Sequence, residues 1–119
     1  MRPSLIFSPM LVDTGIPLII SNLDLGAVYP NPTEAVELFK WLPGSQDLLK
    51  VQTAARMSAT FPFISPAVRL PTTPPYRVVD AGYYDNFGIS VATSFLHEPN
   101  IMKWLKTCTS GVMLVEIRA

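Results

Sequence analysis

The chain has 119 residues, of which 49% are hydrophobic and only 15% charged, so it is a folded domain and not a disordered tail, and at that length one domain at most. Nine Lys and Arg balance nine Asp and Glu without a basic cluster, which argues against a nucleic-acid partner. Cys108 and His97 are each the single residue of their type, so no disulfide forms within the chain, a soft-ligand metal site is not expected, and no cofactor is implied.

Taken in chain order, "SLIFSPMLV" and "IPLIIS" flank Asp13-Thr14-Gly15 and predict a β-hairpin, with Pro17 at an edge or bulge. Asp13, Pro17 and Asn22 keep these apolar runs well below the roughly 20 residues of a spanning helix. "MRPSLIFSPML" is too short and too interrupted by proline for a signal peptide, and localisation stays open because upstream sequence could hold an address. "YPNPTEAVELFKWL" predicts a helix with Asn31 as N-cap, Pro32 at its first position and Glu34 three residues after the cap, ended by Gly44. Ser45 is placed to cap a second helix, whose inward face would be Leu48, Val51, Ala55 and Ser58/Ala59.

Prolines crowd residues 62 to 75 and forbid a helix there, leaving "AVRL" as the one short strand candidate. "YRVVD" reads as a buried strand, and Gly88 to Leu96 as a helix with Ile89, Ala92/Thr93 and Leu96 turned inward. After Pro99 another turn or two of helix covers Ile101, Trp104 and Leu105, and "GVMLVEI" reads as a second buried strand. Strand, helix and strand in that order predict a right-handed parallel crossover. With strands at both ends, the chain reads as part of a larger sheet.

Asp80 stands where a buried strand gives way to a loop, the place where open α/β sheets bind ligands. Ala81 and Gly82 keep bulk away from its carboxylate. The structural alternative is that Asp80 closes a turn on backbone amides. Asp85 or Asn86 is expected to cap the following helix. An Asp80/Asp85 pair would suit glycosidase chemistry only at a separation that sequence does not fix. Ser90, in Gly88-Ile89-Ser90-Val91-Ala92, falls one residue short of a G-x-S-x-G nucleophile elbow and lies too far from the strand end, so it reads as a first-turn helix serine. His97, at the far end of the same helix, reads as a solvent-facing residue and not as part of a triad. Asp13-Thr14-Gly15 matches the aspartic protease signature, so a retroviral-type protease that assembles its site by dimerising is an alternative enzyme reading. No later Ile/Leu-Gly-Arg-Asn/Asp segment supports it, and a hairpin turn accounts for the tripeptide.

Three segments in order, "RPSLIFSPMLVDTGIPLIIS", "AARMSATFPFISPAV" and "VVDAGYYDNFG", resemble the second half of a patatin-like phospholipase domain. The resemblance implies an α/β fold, part of a three-layer α/β/α arrangement with a mixed or mostly parallel sheet and flanking helices. Residues 1–119 would form the C-terminal portion of that one domain, incomplete in this chain. It further implies a lipid acyl hydrolase of the phospholipase or esterase type, with a Ser-Asp dyad in which Asp80 matches the Asp, Gly82 the third motif position and Asn86 the downstream Asn. Ala81 stands where the family has Gly. Its partner would be a lipid ester, in solution or at a membrane surface. No G-x-S-x-G and no Gly-rich oxyanion loop occurs in the 119 residues, so the chain alone is expected to be inactive. A non-catalytic, degenerate interaction module with the same fold is the alternative.

Overall fold

The computed structural model describes residues 3–61, 64–85 and 88–117. The first apolar runs do fold back on each other. Strand β1, Ile6–Phe7, and strand β2, Met10–Leu11, precede the Asp13-Thr14-Gly15 turn, and β3, Leu18–Ser21, follows it. β1 pairs with β3 antiparallel, Ile6 opposite Ser21 and Phe7 opposite Ile20, while Met10 bridges Pro17. Gly15 sits at φ 69°, a conformation that glycine adopts without steric cost, and its N–H donates to the Leu11 carbonyl at 2.8 Å to close the turn.

The predicted helix after Asn31 is broken into a turn, a two-residue strand and a four-residue helix. Asn31 accepts the Thr33 N–H on its side chain and the Glu34 N–H on its carbonyl, both at 3.0 Å, and this makes only a turn. Val36–Glu37 then form β4, parallel to β3, with Leu18 opposite Val36 and Ile19 opposite Glu37. Helix α1 is left with Leu38–Trp41. The Val36 N–H finds the Pro17 carbonyl at 2.9 Å, so a ladder to an already buried strand satisfies the backbone that a helix would have satisfied internally. Glu37 adds a carboxylate bond to the Leu25 N–H.

Helix α1 is capped by Leu42 and not ended by Gly44, which, at φ 86°, instead leads into the next turn. Ser45 opens a single 3-10 turn, Ser45–Asp47, and helix α2 begins only at Val51 and runs to Ser58. Its buried face is Ala54 and Met57, whereas Leu48 and Val51 are 83% and 60% exposed, the reverse of the predicted face. Ala54 and Met57 join Leu11, Leu18, Leu38 and Val78 in one core, so the strands underneath, not the run of small residues, choose the side on which α2 lies.

β5, Val68–Arg69, falls on the one candidate in the proline-rich stretch, and β6, Arg77–Val79, on the predicted buried strand. β6 lies between β2 and β5, antiparallel to both. Helix α3, Ile89–His97, buries Val91 and packs Phe95 against it, one turn on, in place of the predicted Thr93 side, which is exposed. Helix α4, Pro99–Cys108, starts on its proline, with Glu98 as N-cap accepting the Ile101 N–H at 2.7 Å.

The parallel crossover does not form. Both edges of β6 are already taken, so a strand following α3 finds no place beside it. Residues 111–117 have no regular secondary structure, join neither sheet, and expose Met113 and Ile117 at 85% and 87%. Among the described residues β3–β4 is the one parallel ladder, so the sheets are mixed and mainly antiparallel. The result is a mixed α/β unit of two three-stranded sheets, in the orders β1-β3-β4 and β2-β6-β5, with helices against them. Leu18 is completely buried, so Leu18→Ala should lower unfolding stability by about 2–5 kcal/mol in a urea titration. Met113→Ser should change it by no more than about 0.5 kcal/mol.

Candidate functional site

β6 ends against the C-terminal end of α2, and this junction fixes Asp80. The Asp80 N–H donates to the carbonyl of buried Thr60 at 2.9 Å, and the Thr60 hydroxyl donates back to the Arg56 carbonyl at 2.6 Å. The chain then tightens into a 3-10 turn, Ala81–Tyr83, of which Asp80 is the N-cap: its Oδ1 accepts the Gly82 N–H at 3.0 Å. Asp80 is half-buried, and among the described residues its Oδ2 has no hydrogen-bond donor. One carboxylate oxygen is thus fixed by backbone, and among the described residues none donates to the other.

Ala81 opens the 3-10 turn in a conformation open to any L-residue, so glycine is not required at that position. Asn86 lies outside the described residues. Asp85 takes the capping role expected of this pair, with Oδ2 accepting the Val91 N–H of α3 at 3.2 Å. The carboxylates of Asp80 and Asp85 therefore serve separate backbone amides.

Ser90 is an exposed residue in the first turn of α3, and His97 is exposed at its last position, with Nδ1 2.8 Å from the Thr93 carbonyl. Seven residues of helix separate them by about 10 Å, too far for direct proton transfer. Asp13 does structural work. Its Oδ2 accepts the Arg77 N–H and its Oδ1 the Arg77 guanidinium, both at 2.9 Å, which ties the hairpin turn to the start of β6. Its carboxylate is directed at Arg77 and not at a second carboxylate.

A cleft of about 530 Å³, which the sequence reading missed, opens beside β4 and α1. Tyr29, Trp41 and Tyr76 line it together with Glu37 and Lys40. Tyr29 connects it to the loop after Asp80: burial, above all, raises the Tyr29 pKa, neighbouring Ser94 lowers it, and the Asp85 and Tyr84 charges raise it further. The available signal was the clustering of aromatics around short turns, which no spacing rule captures, because Trp41 and Tyr76 are 35 positions apart in the sequence. Among the described residues no group of three His, Cys, Asp or Glu side chains gathers to hold a metal ion, and no helix is long and apolar enough to cross a membrane. Comparison with protein-family models, curated proteins and solved structures found no match in any of the three.

Asp13 also sets an acid limit. The Arg77 N–H, then its guanidinium, holds the Asp13 carboxyl below the usual range, so this stabilisation is complete above the unfolded value near 3.9 and is lost as pH falls through the lower folded value. The thermal midpoint should therefore drop on acidification below about pH 4. Asp13→Asn should start lower at pH 7 and drop less steeply, as differential scanning fluorimetry across that range will read.

Proposed function

We propose that this chain supplies the base half of a Ser-Asp dyad in a lipid acyl hydrolase, with Asp80 as the base. The observation that carries the reading is the division of labour within its carboxylate, Oδ1 held by the Gly82 N–H and Oδ2 without a donor among the described residues. A carboxylate with an ordinary pKa near 4 is a poor base at neutral pH unless it is positioned against the hydroxyl it deprotonates. What supports this role is that Asp80 is held in place, its backbone by the Thr60 carbonyl and its side chain by the 3-10 turn. The resemblance of the three ordered segments to patatin-like phospholipases supports the ester-lipid substrate class.

In this reading the nucleophilic serine and the oxyanion donors belong to a G-x-S-x-G segment and a Gly-rich loop outside these 119 residues. Oδ2 accepts the serine proton as the serine oxygen attacks the ester carbonyl. The same proton then passes to the departing alcohol, and water repeats the sequence on the acyl-enzyme. Each missing oxyanion donor removes about 3 kcal/mol of transition-state stabilisation, so the isolated chain has neither a nucleophile nor that support.

A fluorophosphonate probe should leave the 119-residue chain unlabelled, Ser90 included, when read by intact mass. In a protein that carries both the serine segment and these residues, Asp80→Asn should reduce ester hydrolysis by about 10² to 10⁴ while far-ultraviolet circular dichroism is unchanged. Full activity of that variant would leave Asp80 with its turn alone and remove it from the mechanism.

A further inference from the structure

We propose that the cleft between α1 and the start of β6 binds a quaternary ammonium group, the trimethylated nitrogen of a choline-type ligand. The ring centroids of Trp41 and Tyr76 lie 5.1 Å apart with their planes at 81°, so two aromatic walls meet at nearly a right angle on the cleft surface. Tyr29 also lines the cleft, and the volume of about 530 Å³ is in the range of small-ligand sites. A cation is attracted by the negative faces of such rings, and a quaternary nitrogen suits them best because it has no N–H to leave unsatisfied.

Two charged side chains line the cleft, Glu37 and Lys40, and Asp24 lies just outside it. The Lys40 ammonium is 2.6 Å from Asp24 and 2.8 Å from Glu37, so its single positive charge meets two carboxylates and a negative charge is left over. Glu37 lines the cleft, although the Leu25 N–H and Lys40 already occupy its oxygens. It therefore contributes field and not a hydrogen bond, which is all that a trimethylated nitrogen can use.

The walls are also set in advance. The Tyr76 N–H donates to the Thr72 hydroxyl at 3.0 Å, and its carbonyl accepts the Leu70 N–H at 2.8 Å. The Tyr29 N–H donates to the Leu25 carbonyl at 2.9 Å. Trp41 closes α1, whose last turn is fixed by the Leu42 N–H on the Leu38 carbonyl at 2.7 Å. Little ordering is left for a ligand to impose. This inference is independent of the role of Asp80, because it concerns binding and needs no hydrolysis.

The test is a titration of the unmodified 119-residue chain with phosphocholine and choline, followed by the indole N–H signals of its two tryptophans in nuclear magnetic resonance. The Trp41 signal should shift saturably and that of Trp104, exposed on α4, should not. The uncharged isostere 3,3-dimethylbutanol should bind about tenfold more weakly than choline, since it fills the same space without the charge. Tyr76→Ala should weaken choline binding by a similar factor. Trp104→Phe should leave it unchanged. Equal binding of the isostere, or no saturable shift at Trp41, would overturn the proposal, and neither outcome depends on a variant that folds.

The same ligand chemistry has two sources, a free solute or a lipid headgroup. Retention on phosphatidylcholine vesicles but not on phosphatidylethanolamine vesicles, together with the soluble binding, assigns the site to a headgroup. Soluble binding without vesicle retention assigns it to a free choline-type solute.

Discussion

The fold depends on β3. Leu18 and Ile20 point to one side and join Leu38, Ala54 and Met57, while Ile19 points to the other and joins Leu25, Ala35 and Val91. Period-two alternation thus places a separate apolar cluster on each face of one four-residue strand. β1 and β4 occupy its two edges. With both faces and both edges engaged, β3 fixes where α2 and α3 rest, and through β4 it decides that residues after Ala35 continue as a strand.

The legible parts of the sequence were those governed by local rules. The Asp-Thr-Gly turn, the proline-bounded β5, the helix beginning beyond Gly88 and the proline start of α4 each follow from residues within a few positions of one another. What failed was set from a distance. Asn31-Pro32 is a sound helix start, but the edge of β3 offered the Val36 N–H a partner nineteen positions upstream at Pro17. The face of α2 was misread because its partners, Leu11 and Val78, come from opposite ends of the chain. The crossover was misread because the competition of β2 and β5 for the edges of β6 leaves no mark on the sequence around β6.

The candidate site divides in the same way. A strand-end aspartate was visible at Asp80, but the contact that fixes its backbone comes from Thr60, at the end of a helix whose packing was unforeseen. Asp13, Asp80 and Asp85 all bond backbone amides, of Arg77, Gly82 and Val91 respectively. They differ in what is left over. Asp13 gives its second oxygen to a guanidinium and Asp85 is committed to the start of a helix, whereas Asp80 alone ends a buried strand. The identity of a residue type says nothing about that remainder, which is a property of the surroundings.

The segment at 111–117 bears on how the molecule behaves in company. It lies outside both sheets, with Val112, Met113, Leu114, Val115 and Ile117 all more than half exposed. Acidic and basic residues cancel over the chain, so near neutral pH there is little mutual repulsion to keep copies apart. An exposed apolar segment of this kind is a surface on which copies associate. Handling of the isolated chain will therefore be governed by concentration more than by temperature, and dilution or added surface charge will extend its working life further than cooling.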